Sequence, residues 1–558
     1  MDAIYCAGAA ALLTVLQGAW LRTQTGAHTS EQLDHRNIVH DSLVMFFILY
    51  LLTKIYRVFL YHRYFSPLRH LPTPEGNHFL FGQALNLIHA ESPAALYVQW
   101  MKQFPDAPVI RFLTFANTEI LLPNSPNAHK DIFQTHCYTF RKPDRWLRMT
   151  RDFIGEGIAT LEGEEHRASR KMLTSSFSFS SIKRLEPVFI SKAREVCSLI
   201  DHAIESSSDS GTGMIDCTDT FSKATLSIMG VTSFGIELDY LASNATATRT
   251  TATTPSDYSF HQAYTTIFGP DLTGKILMFG SMFFPTRWLP IKANREYKLA
   301  KRWLQTVLRE LIQQRQSTIR DAFSKGIHKK DDFKDLLSFI IEESMPGGSA
   351  EGIPSTHITG HLLQFLGAGH DTSANCLSWS MYTLASHQDI QHELREEINR
   401  IIGKRPSPSF ADLDSLHYLN NFVREALRLY PPATIIYRHA GGDVIVDGIH
   451  IPKDSSFEIV AAVTSLNPLI WGEDAETFNP DRWDNLTEEQ SSPYAFATFS
   501  NGPRICIGRQ FALYEIKTIL VEIIRNFRVL RDVSPFTIEN PGLTVRPRDM
   551  KVHLERLE

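Results

Sequence analysis

The chain has 558 residues, 43% of them hydrophobic, which is too apolar for a disordered polymer and enough for about three or four domains or one large body. Lys and Arg total 56 against 61 Asp and Glu, a net charge of -5, so there is no basic excess to drive phosphate-backbone binding, and a general nucleic-acid binder is excluded. Glycine (30) and proline (28) near average use exclude collagen-like and low-complexity chains.

Two apolar stretches come first. Ala3 to Leu21 carries no charge and as a helix would span about 28 Å, close to a bilayer's hydrocarbon core. Leu43 to Tyr61 has an unbroken apolar run from Leu43 to Leu52, after which Lys54 and Arg57 could snorkel to an interface. Asp2, with no Lys or Arg ahead of the first stretch, argues against a cleaved signal peptide. Arg22 and Arg36 stand against Glu31, Asp34 and Asp41 between the stretches, while Lys54, Arg57, Arg63 and Arg69 cluster at and beyond the second. The basic end is expected to be cytoplasmic, with one or two passes leaving the large body in the cytosol. Leu71-Pro72-Thr73-Pro74-Glu75-Gly76 reads as a stiff hinge. The expected division is an anchor region 1–62, a basic, proline-bearing hinge 63–76 and a body 77–558.

The body shows no convincing repeat and reads as mainly helical, with small sheets. Short strands are expected at Val109–Phe112, Thr118–Leu122, Val444–Val446 and Ser456–Val460. Ser243–Ser256, rich in Thr, Ala and Ser, reads as a surface insertion containing the sequon Asn244-Ala245-Thr246. Phe268–Pro290 is strongly apolar and reads equally as core or as a segment dipping into a membrane. The six cysteines (Cys6, Cys137, Cys197, Cys217, Cys376, Cys506) form no C-x-x-C pair and are expected to be reduced and mostly buried.

Cys506 has a distinctive context, Phe499-Ser500-Asn501-Gly502-Pro503-Arg504-Ile505-Cys506-Ile507-Gly508, followed by helical periodicity from Phe511 to Phe527. A cysteine in a glycine-bearing loop at a helix N-terminus is expected to have a lowered pKa. Gly502 and Gly508 would let backbone approach a flat cofactor, and a thiolate is the iron ligand that favours O–O cleavage. The segment resembles the haem-binding loop of the cytochrome P450 family, F-x-x-G-x-R-x-C-x-G, at every fixed position. That resemblance implies a P450 fold with haem b on Cys506, cradled by Phe499, Gly502, Arg504 and Gly508.

Three further segments strengthen the resemblance. Glu425 and Arg428 are spaced to pair on one face of a helix ended by Pro431-Pro432. They are similar to the family's E-x-x-R pair, with Arg482 in Phe478-Asn479-Pro480-Asp481-Arg482-Trp483 as the joining arginine; Trp483 departs from the usual Phe. The implied role is structural. Leu362–Leu384 reads as an apolar helix interrupted at Gly367-Ala368-Gly369-His370-Asp371-Thr372, which is similar to A-G-x-D/E-T. Asp371 would relay protons and the Thr372 hydroxyl would orient bound, partly reduced oxygen for protonation. Gly163–Lys171 begins a polar helix where the family has Trp-x-x-x-Arg; His166 replaces the Trp, and His166, Arg170, Arg438 and Arg504 are the implied haem-propionate partners.

The resemblance runs from about Pro72 to the C-terminus and implies monooxygenation with O2. Only 52 residues follow Cys506, too few for a flavin domain, so electrons are expected from a separate NADPH-cytochrome P450 reductase, with cytochrome b5 as a further partner. The anchor, the Glu165-His166-Arg167 variant and the Thr/Ala-rich insertion are similar to fungal members serving secondary metabolism. That points to a lipophilic terpenoid or polyketide-derived substrate and to the endoplasmic reticulum membrane. The alternatives are a haem-dependent isomerase or dehydratase, against which Asp371 and Thr372 argue, and a non-catalytic membrane-tethered binding protein, which would have no need to keep all these residues.

Overall fold

Apolar residues at three- and four-residue spacing fold most of the chain into helices, and the strands are short. The computed structural model describes residues 2–25, 35–207, 211–237, 260–325, 335–349 and 351–557. Glu31, Asp34 and the Ser243–Ser256 insertion with its Asn244 sequon lie outside the described residues.

The chain forms two units, one of Met1–Leu87 with Ile110–Leu121 and one of Ile88–Val109 with Leu122–Glu558. In the first, α1 (Asp2–Thr25) packs along α2 (His35–Ile55), with Cys6 Sγ 3.6 Å from Thr53 Oγ1. α2 runs on into a wider helical turn, Tyr56–Phe65. Among the described residues one helix, His40–Phe65, is long and apolar enough to cross a membrane, and the apolar run of the first covers Tyr5–Leu16. Neighbouring strands β1 (Val109–Leu113) and β2 (Glu119–Pro123) carry Arg111, which is buried and ties this unit together. Its guanidinium meets Glu119 Oε1 at 2.6 Å, the His62 carbonyl at 2.6 Å and Thr73 Oγ1 at 3.3 Å, and its amide donates to the Pro72 carbonyl at 2.8 Å. The proline segment is thereby fixed to a strand.

The second unit holds β3 (Phe140–Arg141), α3 (Gly163–Thr174), β4 (Thr212–Asp216), α4 (Cys217–Met229), α5 (Ser355–Ser386), α6 (His417–Leu429), β5 (Ile436–Ala440), β6 (Val444–Val446), β7 (Ile449–Ile451), β8 (Ser456–Ile459), α7 (Arg509–Asn526), β9 (Phe527–Val533) and β10 (Lys551–Arg556). All four expected strands are present to within a residue or two at their ends. β10 pairs with β4 and β9, and β5 with β3 and β8, all antiparallel. The β6–β7 hairpin turns at Asp447 and Gly448, both at positive φ.

α5 is the centre of the large core, buried on most of its faces and packed along α4. The sequence suggested an interruption at Gly367–Thr372, but the helix is continuous there. These glycines answer to close packing instead. A Cβ on Gly367 would come 2.7 Å from the Phe268 ring, and one on Gly369 would come 2.6 Å from Met229 Sδ. The Phe268–Pro290 segment divides between buried and exposed side chains. Leu277 and Met278 join the core, while Leu272, Ile276, Phe284 and Trp288 face outward, Trp288 at 83% exposure.

The tightest backbone approach on α5 gives a prediction. A Cβ on Gly360 would lie 1.8 Å from the Glu156 carbonyl oxygen, whereas one on Gly442 would touch only Thr139 Cγ2 at 3.9 Å. Gly360→Ala should lower unfolding stability by about 2–3 kcal/mol, and Gly442→Ala by no more than about 0.5 kcal/mol, in denaturant titrations. Equal shifts would remove close packing as the reason for Gly360.

Candidate active site

A cavity of about 1210 Å³ lies inside the second unit, walled by Cys506, Phe499, Arg504 and Gly508 from the cysteine loop and by Gly369 and Thr372 from α5. This exceeds the roughly 300–1,000 Å³ of a common small-molecule site and leaves room for a large planar group beside a second molecule. Most of the lining surface is apolar, with Met229, Phe365 and Ile436 contributing.

The cysteine loop is shaped by its own backbone. The Cys506 amide donates to the Phe499 carbonyl at 2.8 Å, and the Ile505 amide to Gly502 at 3.0 Å. Gly502, at φ +65°, passes so near the Phe133 carbonyl that a Cβ would lie 2.2 Å from it, so its close approach is to protein rather than to a cofactor. A Cβ on Gly508 would meet nothing within 4 Å. Cys506 is exposed only in the sense that its sulfur faces the cavity; it is deep within the protein, and the other five cysteines are buried. The expected lowering of its pKa is not found. Burial raises the thiol, and the Gly508 amide, Arg170 and Arg509 offset this only in part. A metal cation at the sulfur would reverse the balance, since coordination deprotonates a thiol outright.

Beside the loop lies a buried group of cations. Arg504 forks onto Glu162 at 2.5 and 3.1 Å. Lys142 Nζ donates to the Leu161 carbonyl at 2.7 Å and lies 3.2 Å from Glu162. Arg438 is 8% exposed and donates to the Tyr437 carbonyl at 2.8 Å. Burial, with Arg504 and Arg438 adding to it against Glu162, pushes Lys142 down to about 7. Burial and Arg504 push Arg438 to about 10. Burial, Arg504 and Lys142 push His166 to about 4. Against the burial that would raise it, Arg504 and Lys142 hold Glu162 to about 2. One carboxylate thus faces three cations. His166 Nδ1 and Arg504 Nε are buried without partners. This surplus fits the two propionates of a haem whose iron would meet Cys506. Arg170 turns elsewhere with one nitrogen, donating to the Ile505 carbonyl at 2.6 Å. Lys142 and Glu162 escaped the sequence reading because their pairing is made across the chain.

On α5 the expected acid and alcohol are separated. Thr372 lines the cavity, with its hydroxyl donating to the Ala368 carbonyl at 2.7 Å. Asp371 is turned to Thr544 and Arg546, which occupy both its oxygens. Burial would raise this carboxyl, but Arg546 and His370 hold it below its ordinary value.

Glu425 and Arg428 are fully buried and joined by bonds of 2.9 and 2.7 Å. Arg482 Nε joins at 3.3 Å. Trp483, the departure from the usual Phe, adds a donor, with its indole N–H meeting Glu425 Oε2 at 3.0 Å.

The Cys506 thiol in a glycine-bearing loop, facing a large apolar cavity and bordered by cations short of countercharge, belongs to the haem-thiolate class of oxidoreductase. A sequence profile of the family described as Cytochrome P450 matches residues 72–554, and the chain belongs to the cytochrome P450 family. It is 32% identical over 511 residues to the cytochrome P450 monooxygenase sphH of Aspergillus fumigatus, covering 89% of each chain. It is 28% identical over 544 residues to the cytochrome P450 monooxygenase FUM15 of Gibberella moniliformis, covering 88% of this chain and 86% of that one. It is 27% identical over 514 residues to a ganoderic acid synthetase of Ganoderma lucidum, covering 84% and 89%. The protein is a cytochrome P450 monooxygenase.

The buried charge network gives a prediction. Trp483→Phe removes one donor from Glu425 and should cost about 1–2 kcal/mol. Arg428→Met strands the carboxylate and should cost about 3–5 kcal/mol. Unfolding titrations of both variants check this; an unaltered Trp483→Phe protein would take the indole out of the network.

Proposed function

We propose that the enzyme inserts one oxygen atom from O2 into a lipophilic small molecule, a terpenoid or polyketide-derived intermediate of secondary metabolism, with electrons from an NADPH-dependent reductase. The observation that carries this reading is Cys506 in the wall of an apolar cavity that also holds Thr372. Bound haem iron would supply the activation of dioxygen, which no side chain here provides. In this reading Cys506 would hold the haem iron through its sulfur, and Arg438, Arg504, Arg170, His166 and Lys142 would offer positive charge or N–H donors to the propionates. Phe499, Gly502 and Gly508 shape the loop, and Glu425, Arg428 and Arg482 hold its support in place. Thr372 lines the cavity, and Asp371 ties the same helix to Thr544 and Arg546. The apolar lining excludes water from a greasy substrate and gives it area to bury.

The substrate reading draws support from the cavity's size and lining and from a relative named as a ganoderic acid synthetase. A membrane position draws support from the His40–Phe65 helix, with residues 77–558 as the catalytic body behind the 63–76 segment. The basic residues Lys54, Arg57, Arg63 and Arg69 support a cytosolic side for that body, and the endoplasmic reticulum is the membrane this reading assigns. The outward Leu272, Ile276, Phe284 and Trp288 would suit contact with lipid.

The deciding experiment is reduction of the microsomal protein under carbon monoxide. The long-wavelength difference band of a thiolate-bound haem is expected, and it should vanish in Cys506→Ala. A folded protein without the band overturns the reading. With reductase and a turned-over substrate, Thr372→Ala should keep oxidising NADPH while product per NADPH falls by about tenfold and hydrogen peroxide rises. Unchanged coupling would remove Thr372 from proton delivery.

A further inference from the structure

The first helix of the chain takes no part in the catalytic reading, yet it is packed with care. α1 lies along α2, and the side chains withdrawn from its surface recur every four residues: Cys6 and Ala10 are buried and Thr14 is half-buried. All three are small. The half-buried positions of α2 run through Met45, Phe46, Leu49, Tyr50, Thr53 and Lys54, at the three- and four-residue spacing of one helix face. A stripe of small side chains lets a second helix backbone come close, and the larger side chains of α2 fill the remaining space. Cys6 Sγ, 3.6 Å from Thr53 Oγ1, joins the start of α1 to the end of α2, so the two helices run antiparallel.

Away from this seam, α1 is apolar in every direction over Tyr5–Leu16. Tyr5, Leu12, Leu13, Val15 and Leu16 are 41–73% exposed, and Ala7, Gly8, Ala9 and Ala11 stand between them with no polar side chain. A helix lying in the plane of a membrane interface needs a charged or polar side turned to water. α1 offers none on this stretch, and no charge occurs from Ala3 to Leu21. The Thr14 hydroxyl donates to the Ala10 carbonyl at 2.8 Å, so its proton is satisfied within the helix. The 24 residues of α1 reach about 36 Å, against about 30 Å for a hydrocarbon core. The outer face of α2 matches, with Leu43, Phe47, Ile48, Leu51 and Leu52 exposed. Contiguous exposed apolar surface of this kind marks a membrane contact.

Charge gives the direction. Lys54, Arg57, Arg63 and Arg69 stand at and beyond the end of α2, whereas Arg22 and Arg36 between the apolar stretches are outnumbered by Glu31, Asp34 and Asp41. The basic end stays in the cytosol, and an antiparallel neighbour of α2 has its own first residues on that same side.

We propose that α1 is a second membrane-spanning helix, so that the hydrocarbon of the bilayer surrounds a two-helix hairpin. The Thr25 end of α1 and the His35 end of α2 lie on the lumenal side, and the Asp2 end of α1 lies on the cytosolic side with the catalytic body. The lipid-facing surface is the outer ring of both helices, and Cys6, Ala10 and Thr14 form the seam within. The proposal rests on the cytosolic placing of the body under the functional reading and is independent of the haem chemistry.

Full-length protein in microsomes tests it through Asn-x-Ser/Thr acceptors, which are glycosylated only in the lumen. Asn244-Ala245-Thr246 and Asn485-Leu486-Thr487 are the body's own acceptors and report its side. A second acceptor, on a polar extension ahead of Met1, reports the Asp2 end of α1. A third, in a polar spacer inserted between Thr29 and Ser30, reports the turn of the hairpin. Only the third should be modified, as a mobility shift that endoglycosidase removes, and the carbon monoxide band should be kept throughout. Modification ahead of Met1 with the body's acceptors bare overturns the proposal and leaves the functional reading standing. So does a bare third acceptor. Modification of the body overturns its cytosolic placing and the proposal with it. In the same membranes an oxidant should join Cys6 to Thr53→Cys but not to Leu51→Cys, whose position is 60% exposed on the outer face. With a protease site in the spacer, the α1 fragment of Thr53→Cys then stays attached until reduction. Its release without reductant, or equal attachment in Leu51→Cys, overturns the packed seam.

Discussion

An ionised glutamate and arginine taken wholly out of water stabilise a fold only if every lone pair and N–H is engaged, and the Glu425–Arg428 pair meets that condition at the expense of its neighbours' freedom. Arg428 spends its remaining donors on the carbonyls of Ser465, Ala475 and Thr477. Glu425 accepts from the Asn479 amide, Arg482 and Trp483. The stretch from 465 to 483 is thereby pulled onto α6. Trp483 then packs edge-on against Phe496, ring centroids 5.2 Å apart, and Thr498 donates to the Leu427 carbonyl on the same helix at 2.9 Å. The next residue, Phe499, accepts the Cys506 amide. The position of the sulfur is thus inherited, bond by bond, from a buried charge pair far along the chain.

The cation cluster works in the opposite sense. Lys142, Arg438 and Arg504 are more positive charge than Glu162 can balance; burial first, and repulsion between them second, lowers Lys142 and Arg438. Mutual repulsion in a medium of low polarity is relieved by added carboxylates far more than it would be at the surface. A ligand that brings two of them stabilises the folded state by linkage, so cofactor binding and folding reinforce each other here. Glu162 sets the remainder: by occupying Arg504, it leaves Arg438 and the unpartnered His166 ring to face an incoming carboxylate.

What was legible in the sequence was what is local in the chain. The loop from Phe499 to Gly508 carries its chemistry within ten consecutive positions, and Glu425 with Arg428 carries its own within a single helical turn. The charge surplus was legible only in its arginines, because Lys142 and Glu162 acquire meaning through a partner distant in sequence. The glycines of α5 were visible but misread, since a helix tolerates glycine for a neighbour's sake, here Phe268 and Met229, as readily as for a break. The thiol's pKa was misjudged for a related reason. A helix N-terminus can be read from sequence, but the depth at which it is buried cannot, and depth decided the sign.

The same contrast separates the two acids beside α5. Asp371 and Glu515 are chemically alike and both are buried. Asp371 meets a guanidinium and a hydroxyl that donate to its charged form, so burial loses and the charge persists. Glu515 meets no cation, so burial wins and the proton stays. An ion held by donors is fixed in place and orders its surroundings. Proteins that need acid and base behaviour from one functional group obtain it by such divergence of environment. Here the divergence separates Asp371, engaged at both oxygens, from Glu515, engaged at neither.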